Sequence, residues 1–247
     1  MSLSFDEMER NLNRLAAKYG NIDDLSVPVC DNPKWQVPED YPFKDEVPLV
    51  ITRPGTDYSI MSECSPDIKE WCDTHNISMN DFNHPCIIDK SCTDCTSVFA
   101  KLQKFNQLVE IPSTVTNCTC MFIGCKSFNQ PVGIPPTVRT CRQMFMQAIT
   151  LDSFVEIPDT LADCYRMFDG ASSFNQLVNI PKNATNCHCM FGNCVFLNQH
   201  LVVPEEVTAT KCRRFSDGVV TSAAEELFFG CSSLNRSTVQ GYYYIMS

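Results

Sequence analysis

The chain has 247 residues, 44% of them hydrophobic, with a formal net charge of −10. That is enough apolar material for one elongated domain or two ordinary ones. The acidic balance excludes a nucleic-acid partner, which needs clustered Lys and Arg, and with no run of 18 apolar residues no membrane span is expected.

The acid is concentrated early. Residues 1–90 hold 8 Lys+Arg against 17 Asp+Glu, and the remainder holds 11 against 12. Ser4 to Tyr19 reads as a helix, because Phe5, Met8, Leu12, Leu15 and Tyr19 recur at alternating spacings of 3 and 4. Ser4 caps its start and Gly20 closes it. The start lacks a basic stretch followed by an apolar one, so the expectation is a protein made in the cytoplasm without a signal peptide.

Pro28, Pro33, Pro38, Pro42, Pro48 and Pro54 then break every period and favour extended backbone. Trp35, Tyr41 and Phe43 punctuate this arm as surface anchors. Leu49 to Thr52 reads as a strand. Ser65-Pro66 opens a short helix to about Asp73, with Ser as cap and Pro in the first turn. Residues 1–94 are therefore expected as acidic helix, Pro-rich extended arm and N-terminal cap. Residues 95–247 are expected as repeats with an irregular C-terminal cap.

The repeats share a 23-residue period. Val98-Phe99, Met121-Phe122, Met144-Phe145, Met167-Phe168 and Met190-Phe191 keep that register, and Pro112, Pro135, Pro158, Pro181 and Pro204 keep it too. A fixed period of this size marks stacked units that bury their apolar faces against one another. A late echo follows an insertion, at Leu227-Phe-Phe-Gly-Cys-Ser-Ser-Leu-Asn235. The unit reads C-x-x-M-F-x-G-[CA]-x-S-F-N-Q-x-V-x-I-P-x-T-V-x-N, carried by Met121-Phe-Ile-Gly-Cys-Lys-Ser-Phe-Asn-Gln130 and Ile157-Pro-Asp-Thr-Leu161. It resembles the BspA-type leucine-rich repeats, and is similar to related repeats reading M-F-x-x-A-S-S-F-N-Q. The resemblance implies a leucine-rich-repeat solenoid (an α/β repeat). Such a fold has one parallel sheet of short strands, with short helical turns opposite.

Strands are expected before each proline, at 108–111, 131–134, 154–157, 177–180 and 200–203, with the Met-Phe segment as the helical turn. Period-2 alternation sends Val109 and Ile111, and their equivalents, into the core. It sends Leu108, Glu110, Phe154, Glu156, Leu177, Asn179, His200 and Val202 outward, and these form the candidate binding face. An apolar outward column asks for a cover, either a partner protein or the chain's own Pro-rich arm carrying Trp35 or Phe43. Asn106, Asn129, Asp152, Asn175 and Asn198 form a column expected to hydrogen-bond along the stack.

There are sixteen cysteines. Cys95, Cys118, Cys141, Cys164 and Cys187 share one repeat position, which predicts a buried column of free thiols packing as small hydrophobes. Any disulfide is expected among Cys30, Cys64, Cys72, Cys86, Cys92, Cys212 and Cys231, which lie off that column. His84, Cys86, Cys92 and Cys95 read H-x-C-x5-C-x2-C, a ligand set suited to structural zinc, although Cys95 belongs to the thiol column. No other cofactor is expected.

None of the four histidines lies in a hydrolase or metalloprotease motif, and none of the nine glycines builds a phosphate loop. The reading is a non-enzymatic protein-interaction or structural protein. The resembling family includes surface proteins of bacteria and protists and proteins of large viruses and phages. The expectation is an assembly component such as a virion decoration or linking protein, whose partners are subunits of the particle. The alternative is a secreted or cell-surface adhesin using the repeat face.

Overall fold

The computed structural model describes residues 42–43, 47–55, 63–209, 211–213, 220–222, 226–235 and 239. The predicted helix at 4–19, most of the Pro-rich arm with Trp35, and Cys30 lie outside them, as does the side chain of Cys212.

The repeats stack as successive coils around two columns of phenylalanine. Phe99, Phe122, Phe145, Phe168, Phe191 and Phe228 lie ring over ring, with centroids 5.3–5.6 Å apart. Beside them Phe82, Phe105 and Phe128 stack at 6.1–6.2 Å. Leu151, Phe174 and Leu197 continue the second column, all fully buried. The spacing reflects one backbone coil per ring. Near-parallel rings at this distance are offset pairs, which are more favourable than a direct sandwich.

The Met-Phe segment is not the helical turn that the sequence suggests. Its alternate amides leave the coil. Cys95, Ser97, Phe99 and Lys101 donate N–H to the carbonyls of Asn117, Thr119, Met121 and Ile123 in the next coil, at 2.7–2.9 Å. The residues between them, Val98, Ala100 and Leu102, bond back to carbonyls three residues earlier in their own coil. The same double pattern recurs in each following coil through Gly170. A left-handed residue makes it possible. Ser97, Cys120, Gln143, Arg166, Cys189 and Glu226 have φ of 51–56°. A second left-handed position holds Lys101, Gly124, Gln147, Gly170, Asn193 and Gly230. Glycine adopts this conformation without a Cβ penalty, which accounts for the G of the M-F-x-G signature.

The parallel sheet is correspondingly reduced. Only β3 (Val132–Gly133) and β4 (Val155–Glu156) form a ladder among the Ile-Pro segments, through Val132 N–H to Phe154 and Ile134 N–H to Glu156. Pro131 and Pro135 bracket β3 and supply no N–H, which confines that ladder to two residues. Parallel pairing runs instead ahead of the Met-Phe segment, through single bridges from Asp94 to Asn117, Thr140, Asp163 and Asn186. The expected single sheet is thus replaced by a one-residue ladder continuous over five coils.

The N-terminal cap is built in the same register. β1 (Leu49–Ile51) pairs in parallel with β2 (Cys86–Ile88). α1 (Pro66–His75) is capped by the Ser65 hydroxyl, which accepts from the Asp67 N–H, and ends at the left-handed Asn76. Asp67 ties the cap together by accepting from the Thr52 and Arg53 N–H groups and from the Arg53 guanidinium, which also pairs with Glu70. The buried core runs without a break from Ile51 to Val239. After the last Ile-Pro segment α2 (Glu205–Ala209), whose Val207 joins that core, leads to an antiparallel pair, β5 (Lys211–Arg213) and β6 (Val220–Ser222).

Candidate functional site

The outward face lies on the Ile-Pro segments. All ten alternating residues from Val109 to Val203 that were assigned inward are buried. Of those assigned outward, Glu110, Leu177, Asn179, His200 and Val202 are exposed, and Leu108, Phe154 and Glu156 are half-buried. Leu177 is 60% exposed and Val202 53%, the values that make this an apolar patch in water. Burial pushes the Glu156 carboxyl above its ordinary range. Asn179 donates to Asp159 at 3.0 Å, and that bond, with Lys182 nearby, holds the Asp159 carboxyl low. Phe43 stands edge-on to Trp71 and His75 in the cap.

The proposed zinc ligands do not converge. His84 is buried under Trp71 and its Nε2 lies 3.0 Å from the Val47 carbonyl. Cys86 points its thiol at the His84 carbonyl, and Cys92 points its thiol at the Ile51 carbonyl. Cys95 belongs to the buried column. The carbonyls of Val47, His84 and Ile51 each face one of these side chains, and the four residues are not a metal-ligand group among the described residues.

The disulfide expectation also changes. Cys64, Cys72, Cys86, Cys92 and Cys231 are free. Their burial serves packing, and most have a local acceptor or sulfur neighbour. Cys64 approaches Met79 Sδ at 3.6 Å, and Cys231 donates to the Phe191 carbonyl at 3.0 Å. The five column cysteines are free and fully buried. A second thiol column, which the sequence reading did not separate, has Cys125, Cys194 and Cys231 each donating to a Phe carbonyl in the preceding coil.

A second face carries the chemistry that sequence reasoning missed. Aspartate or asparagine before four of the coils accepts the amide two residues on, at Thr96, Thr119, Tyr165 and His188, and Thr140 holds the equivalent position two residues before Arg142. Those Asx turns fix a side-chain column in which Arg142 sits over the Tyr165 ring, Tyr165 stacks on His188, and Arg142 pairs with Asp163 at 3.0 Å. At its end His188, Cys189 and Glu226 bring one donor atom each within 4.8 Å of one another. This is the one group of three or more His, Cys, Asp or Glu among the described residues with metal-ligand proximity. No spacing rule could find it, because the insertion displaces Glu226 from the 23-residue period.

The stacked coils and the exposed column define the class: a tandem-repeat protein of 23-residue coils. Residues 88–156 and 136–240 match the family described as Mycoplasma protein of unknown function, DUF285, and the chain belongs to that family. No curated protein matches the chain. Among solved structures, a leucine-rich repeat protein from Bacteroides ovatus ATCC 8483 aligns at 16% identity over 76% of this chain, with a TM-score of 0.38. The chain spans 62% of that protein's length. No helix among the described residues is long and apolar enough to cross a membrane.

Proposed function

We propose that this is a non-enzymatic, leucine-rich-repeat protein of BspA type that binds a protein partner on the outward face of its Ile-Pro segments. The carrying observation is the exposure of Leu177 and Val202 on neighbouring coils, continuous with half-buried Phe154 and Leu108. A solvated sheet face ordinarily carries polar residues there. Glu110, Glu156 and Asn179 rim the column and fit a partner with apolar anchors flanked by Lys or Arg. The finer reading is an assembly component, such as a decoration or linking protein of a virus particle. A surface adhesin would use the same face.

The pair Leu177→Ser and Val202→Ser tests it. These side chains are exposed, so their loss should leave the melting temperature nearly unchanged, within about 0.5 kcal/mol of stability. A photo-reactive residue at position 177 should cross-link a partner protein in the source particle or cell, and the double variant should lose that partner. Cross-links running only to residues 1–46 of the same chain, with a melting temperature that falls in the double variant, would show that the face is covered from within.

A further inference from the structure

We propose that His188, Cys189 and Glu226 bind a divalent transition-metal ion, Zn2+ by the chemistry of the donors, and so clip the displaced last coil onto the coil before it.

The argument begins with distances. Glu226 Oε2 lies 3.5 Å from Cys189 Sγ and 3.7 Å from His188 Nε2. A tetrahedral zinc ion holds sulfur at about 2.3 Å and nitrogen or oxygen at about 2.0–2.2 Å, which places neighbouring ligand atoms about 3.4–3.6 Å apart. Both edges from Glu226 are thus close to those of a coordination tetrahedron, and the third, from His188 to Cys189, closes within 4.8 Å.

The Cys189 thiol donates to Glu226, a contact inside the group itself. His188 is buried, yet its Nδ1 has no hydrogen-bond partner, and the 3.7 Å approach of Nε2 to Glu226 is too long to be a hydrogen bond. Ligation through Nε2 would give the buried ring a strong polar partner, which offsets part of its desolvation cost. Tyr165 stacks beneath the ring at 5.7 Å and holds its plane. Cys189 is left-handed, with φ of 51°, and this turns two successive side chains to one side instead of opposite sides. Glu226 holds the equivalent left-handed position in the last coil, so its carboxylate lies directly along the stack from Cys189.

The donor set selects the metal. Sulfur, imidazole and carboxylate together suit Zn2+, whereas Mg2+ and Ca2+ take oxygen donors. The Glu226 side chain is 46% exposed, which leaves an open side for water as the fourth ligand. Burial and the Glu226 carboxylate keep the Cys189 thiol protonated, up to about 12, with smaller effects of opposite sign from Arg166 and Asp169. Binding therefore forms a Zn–S bond as the S–H bond breaks, and the proton goes to solvent.

The test uses the full chain, purified without metal and titrated with Zn2+ or Co2+. One equivalent should bind, and zinc K-edge absorption should show one sulfur at about 2.3 Å with two or three lighter donors at about 2.0–2.2 Å. Glu226→Gln, a substitution at an exposed carboxylate that keeps the side-chain shape, should weaken binding at least tenfold. Cys189→Ser should remove the thiolate-to-cobalt charge-transfer band, while His200→Gln should change nothing. A shell of several sulfurs, binding that survives both Glu226→Gln and Cys189→Ser, or no stoichiometric binding by the unaltered chain would overturn the proposal.

Discussion

A thiol buried in an apolar stack is a small hydrophobe whose ionised form the fold cannot accommodate. Burial drives Cys86, Cys125 and Cys194 well above the ordinary thiol range. Cys141 rises through burial and its Cys118 neighbour, and Cys164 through its hydrogen bond with Cys187 and then burial. The folded state thus keeps these five protons to high pH, whereas the unfolded chain releases them near pH 8.5. A pKa raised in the fold means that the unfolded state binds fewer protons above pH 8.5, so stability is full below that pH and falls as pH rises. At pH 9.5 the loss is about 1.4 kcal/mol per thiol, and about 5–7 kcal/mol for the five together. Urea midpoints at pH 7.5, 8.5 and 9.5 in reductant should therefore drop steeply at the last step. A flat series would mean that these side chains are not buried as protonated thiols.

The recurring Phe-Asn-Gln is an element in its own right, a stitch from coil to coil. The side-chain oxygens of Asn83, Asn106, Asn129, Asp152, Asn175 and Asn198 each accept the amide of the equivalent residue in the next coil, at 2.8–3.1 Å. The following glutamine reaches back to the same asparagine's carbonyl, as Gln130 does at 3.1 Å and Gln199 at 2.7 Å. Asn129→Ala would strip the Asp152 amide and the Ser153 hydroxyl of an acceptor. The site is exposed, so water replaces part of the loss, and the expected cost is about 1 kcal/mol. Hydrogen exchange should locate it: the Asp152 amide should quicken while amides two coils away keep their rates. The asparagine column was legible because identical residues at one period can only meet one another along a stack. The cap's share in it was not. Phe82 and Asn83 already hold the repeat register, 23 residues before Phe105 and Asn106, as do Cys72 before Cys95 and Ile88 before Ile111, but the Met-Phe and Ile-Pro pairs that mark the unit are missing there. The Met-Phe segment was misread for a different reason. Its period of hydrophobicity resembles a helical turn, while the left-handed φ at Ser97 or Arg166 that redirects alternate amides leaves no mark in residue type. The inward and outward sides of the Ile-Pro segments were legible from alternation alone. The His188, Cys189 and Glu226 group was invisible because its third member lies beyond an insertion.

At the scale of the whole molecule, cohesion runs along the stack. Each coil from Phe99 to Phe191 contributes one ring to the Phe99-type column, one thiol to the Cys95-type column, and alternate amides that bond to the next coil. Stability in such an array is close to a sum of unit and nearest-neighbour terms. Register, not length, is then the condition for folding. Removing residues 142–164 joins Cys141 to Tyr165 and deletes one full period. Phe168 then stacks on Phe122, the Cys118 amide keeps the Thr140 carbonyl, and the Cys120 amide meets the Tyr165 carbonyl in place of that of Arg142. The shortened chain should fold cooperatively, with circular dichroism per residue close to that of the full protein and a lower midpoint, because one interface is lost. Removing only residues 142–153, about half a period, puts Glu156 and Ile157 where Met144 and Phe145 stood and throws the core side chains of the two halves out of line. That variant should lose its cooperative transition. If the half-period deletion folds as well as the full one, the coils are not held by like-on-like contacts, and the column description fails at its foundation.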